Sequence, residues 1–343
     1  MRKRLLIVDG MNIYMRCYNA NPATSTNGDP IGGCMGFLTS LQKICRNIDE
    51  ESSAISEIVV IWDGVGGSAR KRKMNKAYKK GRKPVRLNRL VRGLLTEAQE
   101  QANRAWQFDN TIDYVGFLPI HQIRIDDFEA DDIISYVNSL PQYENYDKII
   151  VSTDKDFYQC TYSDENGKTV LYRPKQGGEF EIVGKNSILE QYGIHPINFA
   201  IARAIEGDKS DNLTGVPGVG LKTLAKRFPW LANEQEYMVQ DIVEECQKNL
   251  GKIKMYGNII EYKDLILANY QIMQLSMPNL SPQATKSIRN LLRSEKNFNK
   301  TAIIAMMIKD GFGSFDWNTL FAIAKRLKSP TSSTTTPSTS PSS

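Results

Sequence analysis

Three short apolar runs each deliver the chain to an aspartate. RLLIV (Arg4 to Val8) ends at Asp9, EIVVIW (Glu57 to Trp62) ends at Asp63, and KIIVS (Lys148 to Ser152) leads to Asp154. Runs this short, β-branched and without polar alternation read as strands buried on both faces of a parallel sheet. Helical patterns lie between them, for example Gly36 to Ile48 and Ala130 to Leu140. Strand alternating with helix predicts a doubly wound α/β sheet. Such sheets place their sites at the carboxyl ends of the strands, so the three aspartates are expected to converge on one edge.

The segment from about Ala69 to Phe108 interrupts the alternation with basic, helix-compatible sequence, including Leu90 to Trp106. After Val183 the pattern turns largely helical through Met307. From Lys328 the chain runs SPTSSTTTPSTSPSS, a Pro/Ser/Thr tail with nothing apolar to bury, expected to be disordered. The expected division is a core over 1–183 with a basic arch at about 69–108, a helical region over 184–327, and the tail over 328–343.

No run of 18 apolar residues exists, so no membrane span is expected. The start, MRKRLLIVDGMN, is basic and then apolar. Its apolar run lasts four residues before Asp9, which fits a strand better than a signal peptide. The five cysteines show no CxxC pairing and read as free thiols of a reducing cytoplasm.

A net charge of +6 conceals an uneven distribution: Arg70 to Arg92 holds twelve Lys or Arg and no acid. A run of this kind can be a solvated face, but its self-repulsion favours a polyanion partner, hence nucleic acid. Arg70, Arg72, Lys76, Lys80 and Lys83 would supply the field. Tyr78 among them either stacks on a base or packs the arm onto the core.

Three acidic clusters join the strand-end aspartates: FEADD (Phe128 to Asp132), STDKD (Ser152 to Asp156) and GDKSDN (Gly207 to Asn212). Glu129 and Asp132, three apart, share a helix face, and Asp131 joins them only in a first helical turn. An acidic first turn also suits the helix dipole, and paired aspartates also suit a turn. Nine carboxylates on one sheet edge would raise one another's pKa values, so they require cations. All-oxygen donors select magnesium or manganese over zinc. His121 and His195 lie outside these clusters and read as structural. Two metals about 4 Å apart would suit phosphodiester hydrolysis. No phosphate-cradling Walker loop is present, so ATP hydrolysis is not indicated.

GDKSDN runs directly into LTGVPGVGLKTLAKRF (Leu213 to Phe228). Gly215 to Gly220 reads as a tight hairpin joining two helices, the second offering N–H groups to a phosphate. Gly215, Gly218, Gly220, Lys222, Thr223 and Lys226 are the candidate contacts of a sequence-independent grip on duplex backbone.

Together these segments resemble the 5′ nuclease superfamily: flap endonucleases, the 5′ nuclease domain of bacterial DNA polymerase I, and T-even-phage RNase H. VDGMN, IWDG, YKKGRKP, EADD, STDKDFYQ, GDKSDN and GVPGVGLKT occur in that family's order, and the likeness covers about residues 4 to 228. The stretch NGDPIGGCMGFLTSL also resembles the family, and YGNIIEYKDLILANYQIM is similar to the phage enzymes more loosely. The resemblance implies a PIN-like, mostly parallel sheet with helices on both faces, a basic helical arch, and a helix-hairpin-helix region followed by a helical part. It implies a first metal set of Asp9, Asp63, Glu129, Asp131 and Asp132, and a second of Asp154, Asp156, Asp208 and Asp211. Lys79 and Arg82 match the arch-base residues that contact the scissile phosphate, and the carbonyls of Val216 and Val219 match potassium ligands. No acidic position of the pattern is missing. The implied activity is magnesium-dependent 5′-3′ exonuclease and flap endonuclease action with RNase H activity, on 5′ ends, flaps and RNA–DNA hybrids. A stand-alone monomer is expected, in the cytoplasm (the host's, if phage-encoded), with a single-stranded-DNA-binding protein as a partner. No sliding-clamp box is evident in the tail. Two other classes compete: a PIN-like ribonuclease, which needs no hairpin or long basic arm, and a non-catalytic junction binder, which would lack a carboxylate.

Overall fold

A computed structural model describes residues 2–51, 54–313 and 315–328. The expected disorder of the tail therefore falls outside the described residues, apart from Lys328, which ends the last helix.

The three expected strands are present as β1 (Lys3–Asp9), β2 (Glu57–Trp62) and β4 (Tyr146–Val151). Four more join them: β3 (His121–Arg124), β5 (Tyr162–Ser163), β6 (Lys168–Pro174) and β7 (Phe180–Val183). The sheet order is β3-β2-β1-β4-β6-β5, with β7 also on β6. The β3-β2, β2-β1, β1-β4 and β4-β6 pairs are parallel, and β5 and β7 run antiparallel to β6. The chain moves outward from β1 to β2 and β3, then crosses back to β4 on the other side. The switch point, where such sheets open a crevice, thus lies between β1 and β4.

Period-two alternation sorts the strand residues between two cores. Leu5, Ile7, Val59 and Ile61 face one, with α5 (Ala130–Asn138), α7 (Phe199–Glu206) and the helices that follow α7 as far as residue 293. Leu6, Val8, Val60 and Trp62 face the other, with α1 (Gly10–Ala20), α2 (Gly32–Glu51) and α4 (Glu97–Gly116). The helical portion beyond Val183 begins with α6 (Lys185–Tyr192) and continues after α7 with α8 (Leu221–Arg227), α9 (Val239–Lys248), α10 (Lys254–Glu261), α11 (Lys263–Met273) and α12 (Pro282–Arg293). These extend the first core. The last two helices, α13 (Lys300–Asp310) and α14 (Trp317–Lys328), return to the second, where Leu320, Phe321 and Ala324 are buried.

The basic segment departs from the expected helical arch. It is α-helical only in α3 (Ala69–Met74), and residues 75–91 are turns and irregular chain. Lys79 and Gly81 adopt left-handed backbone (φ +52° and +76°), and Pro84 lacks an amide donor, so the helix cannot continue. Helix resumes at α4, started afresh by a reciprocal Thr96–Gln99 cap. The expected helix from Leu90 thus begins later. No helix among the described residues is long and apolar enough to cross a membrane. All five cysteines are buried free thiols.

Candidate active site

Asp9 is the last residue of β1 and caps α1. Its Oδ1 accepts the Asn12 N–H (3.1 Å) and its Oδ2 accepts the Ser152 hydroxyl (2.8 Å). Burial, with the charge of Asp63 adding, pushes its carboxyl up to about 7. Asp63 follows β2 and accepts the Ala130 N–H (2.8 Å) at the start of α5, and burial raises it too. Gly64 beside it is obligatory: a Cβ there would lie 1.8 Å from the Ile125 carbonyl oxygen.

The EADD cluster occupies the first turn of α5, with Glu129 at the cap position, so Asp131 and Asp132 both reach the Lys71 ammonium. Glu129 accepts Lys79 Nζ (2.5 Å) and the Tyr78 hydroxyl (2.9 Å), and Lys71 Nζ lies 3.0 Å away. Burial would push Glu129 up, but Lys71 and Lys79 hold it down at about 2. Asp132, buried beside Asp131, rises to about 6. Lys71 Nζ also lies 2.7 Å from Asp131 and 3.7 Å from Asp132.

Asp154 caps the short turn Lys155–Cys160 and accepts the Asp156 N–H (2.9 Å). Burial raises Asp154, and the charges of Asp131, Asp211 and Asp208 add to it. Burial and the neighbouring Asp154 push Asp156 to about 8, against the pull of Arg203. Arg203, on α7, reaches Asp156 (3.4 Å), Asp208 (2.5 Å) and Glu206 (2.9 Å). Asp208 is half-buried, yet hydrogen bonds from Ser210 and the Arg203 charge hold it below the usual carboxylate range. Arg82 pairs with Asp211 and donates to the Ser210 carbonyl (2.9 Å).

Asp9, Asp63, Glu129, Asp131 and Asp154 line one cleft of about 760 Å³ with Lys79 and Arg82. Asp154, Asp208, Arg82 and Arg203 line an adjoining one of about 410 Å³. Neither histidine lines either cleft, and His195 caps the Ile197 N–H instead. Among the described residues no three Asp, Glu, His or Cys side chains are gathered tightly enough to grip a metal ion by themselves. Each carboxylate turns towards Lys71, Lys79, Arg82 or Arg203, or towards a backbone N–H or a hydroxyl.

The donor chemistry nonetheless fits hard cations. Nine carboxylates face four cationic side chains, and Asp9, Asp132 and Asp156 are all pushed up, by burial first and by a neighbouring carboxylate second, so a cation bound among them would offset both costs. The same shifts make the stability of the protein in EDTA depend on pH. A carboxyl whose folded pKa is raised contributes fully below its unfolded value, about 4, and loses that contribution as pH rises through the folded value. Between about pH 5 and pH 9 the melting temperature should therefore fall as Asp9 and Asp156 are forced to ionise. A flat profile by differential scanning fluorimetry would contradict the burial assigned to them.

The basic and hairpin residues divide. Arg72, Lys76, Lys80 and Lys83 are exposed, and Arg70 donates to the Asn279 carbonyl. Of the two alternatives for Tyr78 the structure favours packing: it is 2% exposed with its hydroxyl on Glu129, so it seats the segment on the core and is not placed to stack on a base. Lys222 and Lys226 are exposed on α8. The first N–H of α8 is not free for a phosphate as expected, because Glu206 Oε1 accepts it from Leu221 (3.2 Å). The Thr223 N–H bonds the Gly220 carbonyl (2.9 Å). Gly218 is exposed with φ +77°, whereas Gly215 sits against the Glu206 backbone. The side chains of Val216 and Val219 are buried, and the Val216 carbonyl accepts the Val219 N–H (3.2 Å).

Sequence reasoning overlooked Lys71 and Arg203. Lys71 is one more cation in a basic run, and nothing local marks it as the one turned inward. Arg203 sits five residues before Asp208, and only the turn at Gly207 brings it back.

The chain belongs to the family of 5′-3′ exonuclease N-terminal, resolvase-like domains, whose model matches residues 4–193. DNA polymerase I of Mycobacterium tuberculosis is 29% identical over 253 residues, 73% of this chain and 25% of the polymerase. The thermostable DNA polymerase I of Thermus aquaticus is 28% identical over 274 residues, 80% of this chain and 28% of the polymerase. The chain thus spans about a quarter of the length of these curated relatives. The fold is shared with the zinc-bound 5′-exonuclease of bacteriophage T5, with a TM-score of 0.63 at 20% identity, covering 84% of this chain and 98% of that one. Flap endonuclease-1 from Methanococcus jannaschii gives a TM-score of 0.53 at 17% identity, covering 95% and 93%. A complex of the T5 flap endonuclease with DNA and metal ions gives 0.63 at 20% identity, covering 85% and 100%.

Proposed function

We propose that the chain is a magnesium-dependent, structure-selective 5′ nuclease that hydrolyses phosphodiester bonds at 5′ ends and flaps of DNA and RNA–DNA hybrids. Its task would be removal of RNA primers and adjacent DNA during replication or repair. The observation that carries this reading is the meeting of strand-end carboxylates in one cleft whose wall also holds Lys79 and Arg82 from the basic segment. The T5 complex with DNA and metal ions adds support by its fold.

Asp9, Asp63, Glu129, Asp131 and Asp132 would hold one ion, and Asp154, Asp156, Asp208 and Asp211 a second, with manganese able to substitute. Bound there, such a pair supplies an activated water and neutralises charge on the leaving oxygen. The chain's own residues do the rest. Lys79 and Arg82 present positive charge at the mouth of the acidic cleft, where they stabilise charge developing on the phosphate. Asn12 and Ser152 hold the Asp9 carboxylate in place through two hydrogen bonds. Arg72, Lys76, Lys80 and Lys83 supply the field that draws in the strand, and Lys222 and Lys226 grip the duplex beside Gly218 and Gly220. The carbonyls of Val216 and Val219 are the assigned potassium ligands. The division into a core over 1–183, a helical region over 184–327 and a tail belongs to the same reading. So do a monomeric state, the cytoplasm, and a single-stranded-DNA-binding partner.

A comparison of substrates tests this. With magnesium, a labelled 5′-flap duplex and an RNA–DNA hybrid should be cut, while the same RNA free in solution is spared. Equal rates on free RNA and flap would favour a PIN-like ribonuclease and remove the structure-selective reading.

A further inference from the structure

Lys71 is the most completely internalised of the twelve cations in the basic segment: its side chain is 6% exposed. Its ammonium lies 2.7 Å from Asp131, 3.0 Å from Glu129 and 3.7 Å from Asp132. Those are three of the five carboxylates assigned to the first metal set. The next two residues of α3, Arg72 and Lys73, are exposed. One helix turn therefore sends two cations to solvent and one into the acidic cluster.

We infer that Lys71 is a resident counter-ion of the first carboxylate set, competing with a divalent cation for Glu129, Asp131 and Asp132. The inference rests on the metal-binding reading given above. Three acids brought together by the first turn of α5 repel one another strongly at low dielectric. An ammonium lodged among them offsets that repulsion and keeps the cluster folded before metal arrives. The same contacts must loosen when the oxygens turn to a divalent ion, because like charges a few ångströms apart are unfavourable. Lys71 thereby lowers metal affinity in the free protein. Lys79 differs: it contacts Glu129 alone of the three, is less buried, and lines the open cleft.

The test is a manganese titration of the full chain without DNA, followed by calorimetry or by electron paramagnetic resonance of the free ion. Lys71→Met should bind manganese tighter by about 5-fold or more and should melt at lower temperature in EDTA, while Lys71→Arg restores the wild-type affinity. A lowered melting temperature with unchanged or weaker manganese affinity would overturn the inference, since that is what a merely structural lysine gives. Wild-type protein supplies a second readout that needs no variant. Reductive methylation of Lys71, read by mass spectrometry, should be slow in EDTA and faster in saturating manganese. Equal protection in both states would overturn the inference. Absence of manganese binding by the wild type would instead remove the metal reading itself, and the inference with it.

Discussion

Asp156→Asn is expected to slow cleavage of a 5′-flap duplex in magnesium by more than about 100-fold, with DNA affinity undiminished. The Asp156 carboxyl accepts from Arg203 at 3.4 Å, and an asparagine oxygen can accept the same bond, so the local fold should persist. What asparagine cannot supply is the anionic donor. Asp156 is pushed to about 8 by burial and by Asp154, so its charge is held at a cost that a divalent cation offsets. Removing one negative charge leaves a polyanion no less attracted. Single-turnover cleavage measured beside an electrophoretic binding assay separates the two effects. Undiminished turnover in the variant would remove Asp156 from the metal site.

Gly215→Ala is expected to cost about 3 kcal/mol or more of stability, whereas Gly218→Ala, three residues on, should cost about 1 kcal/mol. A Cβ on Gly215 would lie 1.9 Å from the Glu206 carbonyl oxygen and 2.7 Å from the Gly207 nitrogen. All of that is backbone, so no side chain can swing aside. Gly207 presses back, since a Cβ on it would lie 2.4 Å from the Gly215 nitrogen. Gly218 has φ +77° and open space around it, so only the left-handed backbone penalty applies. Urea unfolding of the two variants gives the ratio directly. Since Asp208 and Asp211 lie between Gly207 and Gly215, the first variant should also lose cleavage. Equal destabilisation by both would contradict the packing described for this connection.

The elements legible in the sequence were those set by local chemistry. Unbroken apolar runs marked β1, β2 and β4, and each placed its aspartate at or just beyond the strand's carboxyl end. The acidic first turn of α5 could be read because helical spacing puts Glu129 and Asp132 on one face. β3 has only four residues, HQIR, two of them polar and one a cation, so its strand character comes from pairing with β2. The basic segment misled because lysine and arginine are good helix formers, while the backbone at Lys79, Gly81 and Pro84 overrules that propensity. Tyr78 and Lys71 were illegible for a related reason. Turning inward from a run of cations is decided by Glu129, fifty residues or more away, and no local spacing encodes it.

On the proposed function, cations held by these carboxylates carry out hydrolysis at a 5′ flap. Incubating a 5′-flap duplex, labelled at its 5′ end, with the protein in magnesium and again in excess EDTA tests it most directly. A short labelled fragment should be released from the flap junction in magnesium and none in EDTA. Cleavage that persists in EDTA, or an intact flap in magnesium and manganese alike, would contradict it.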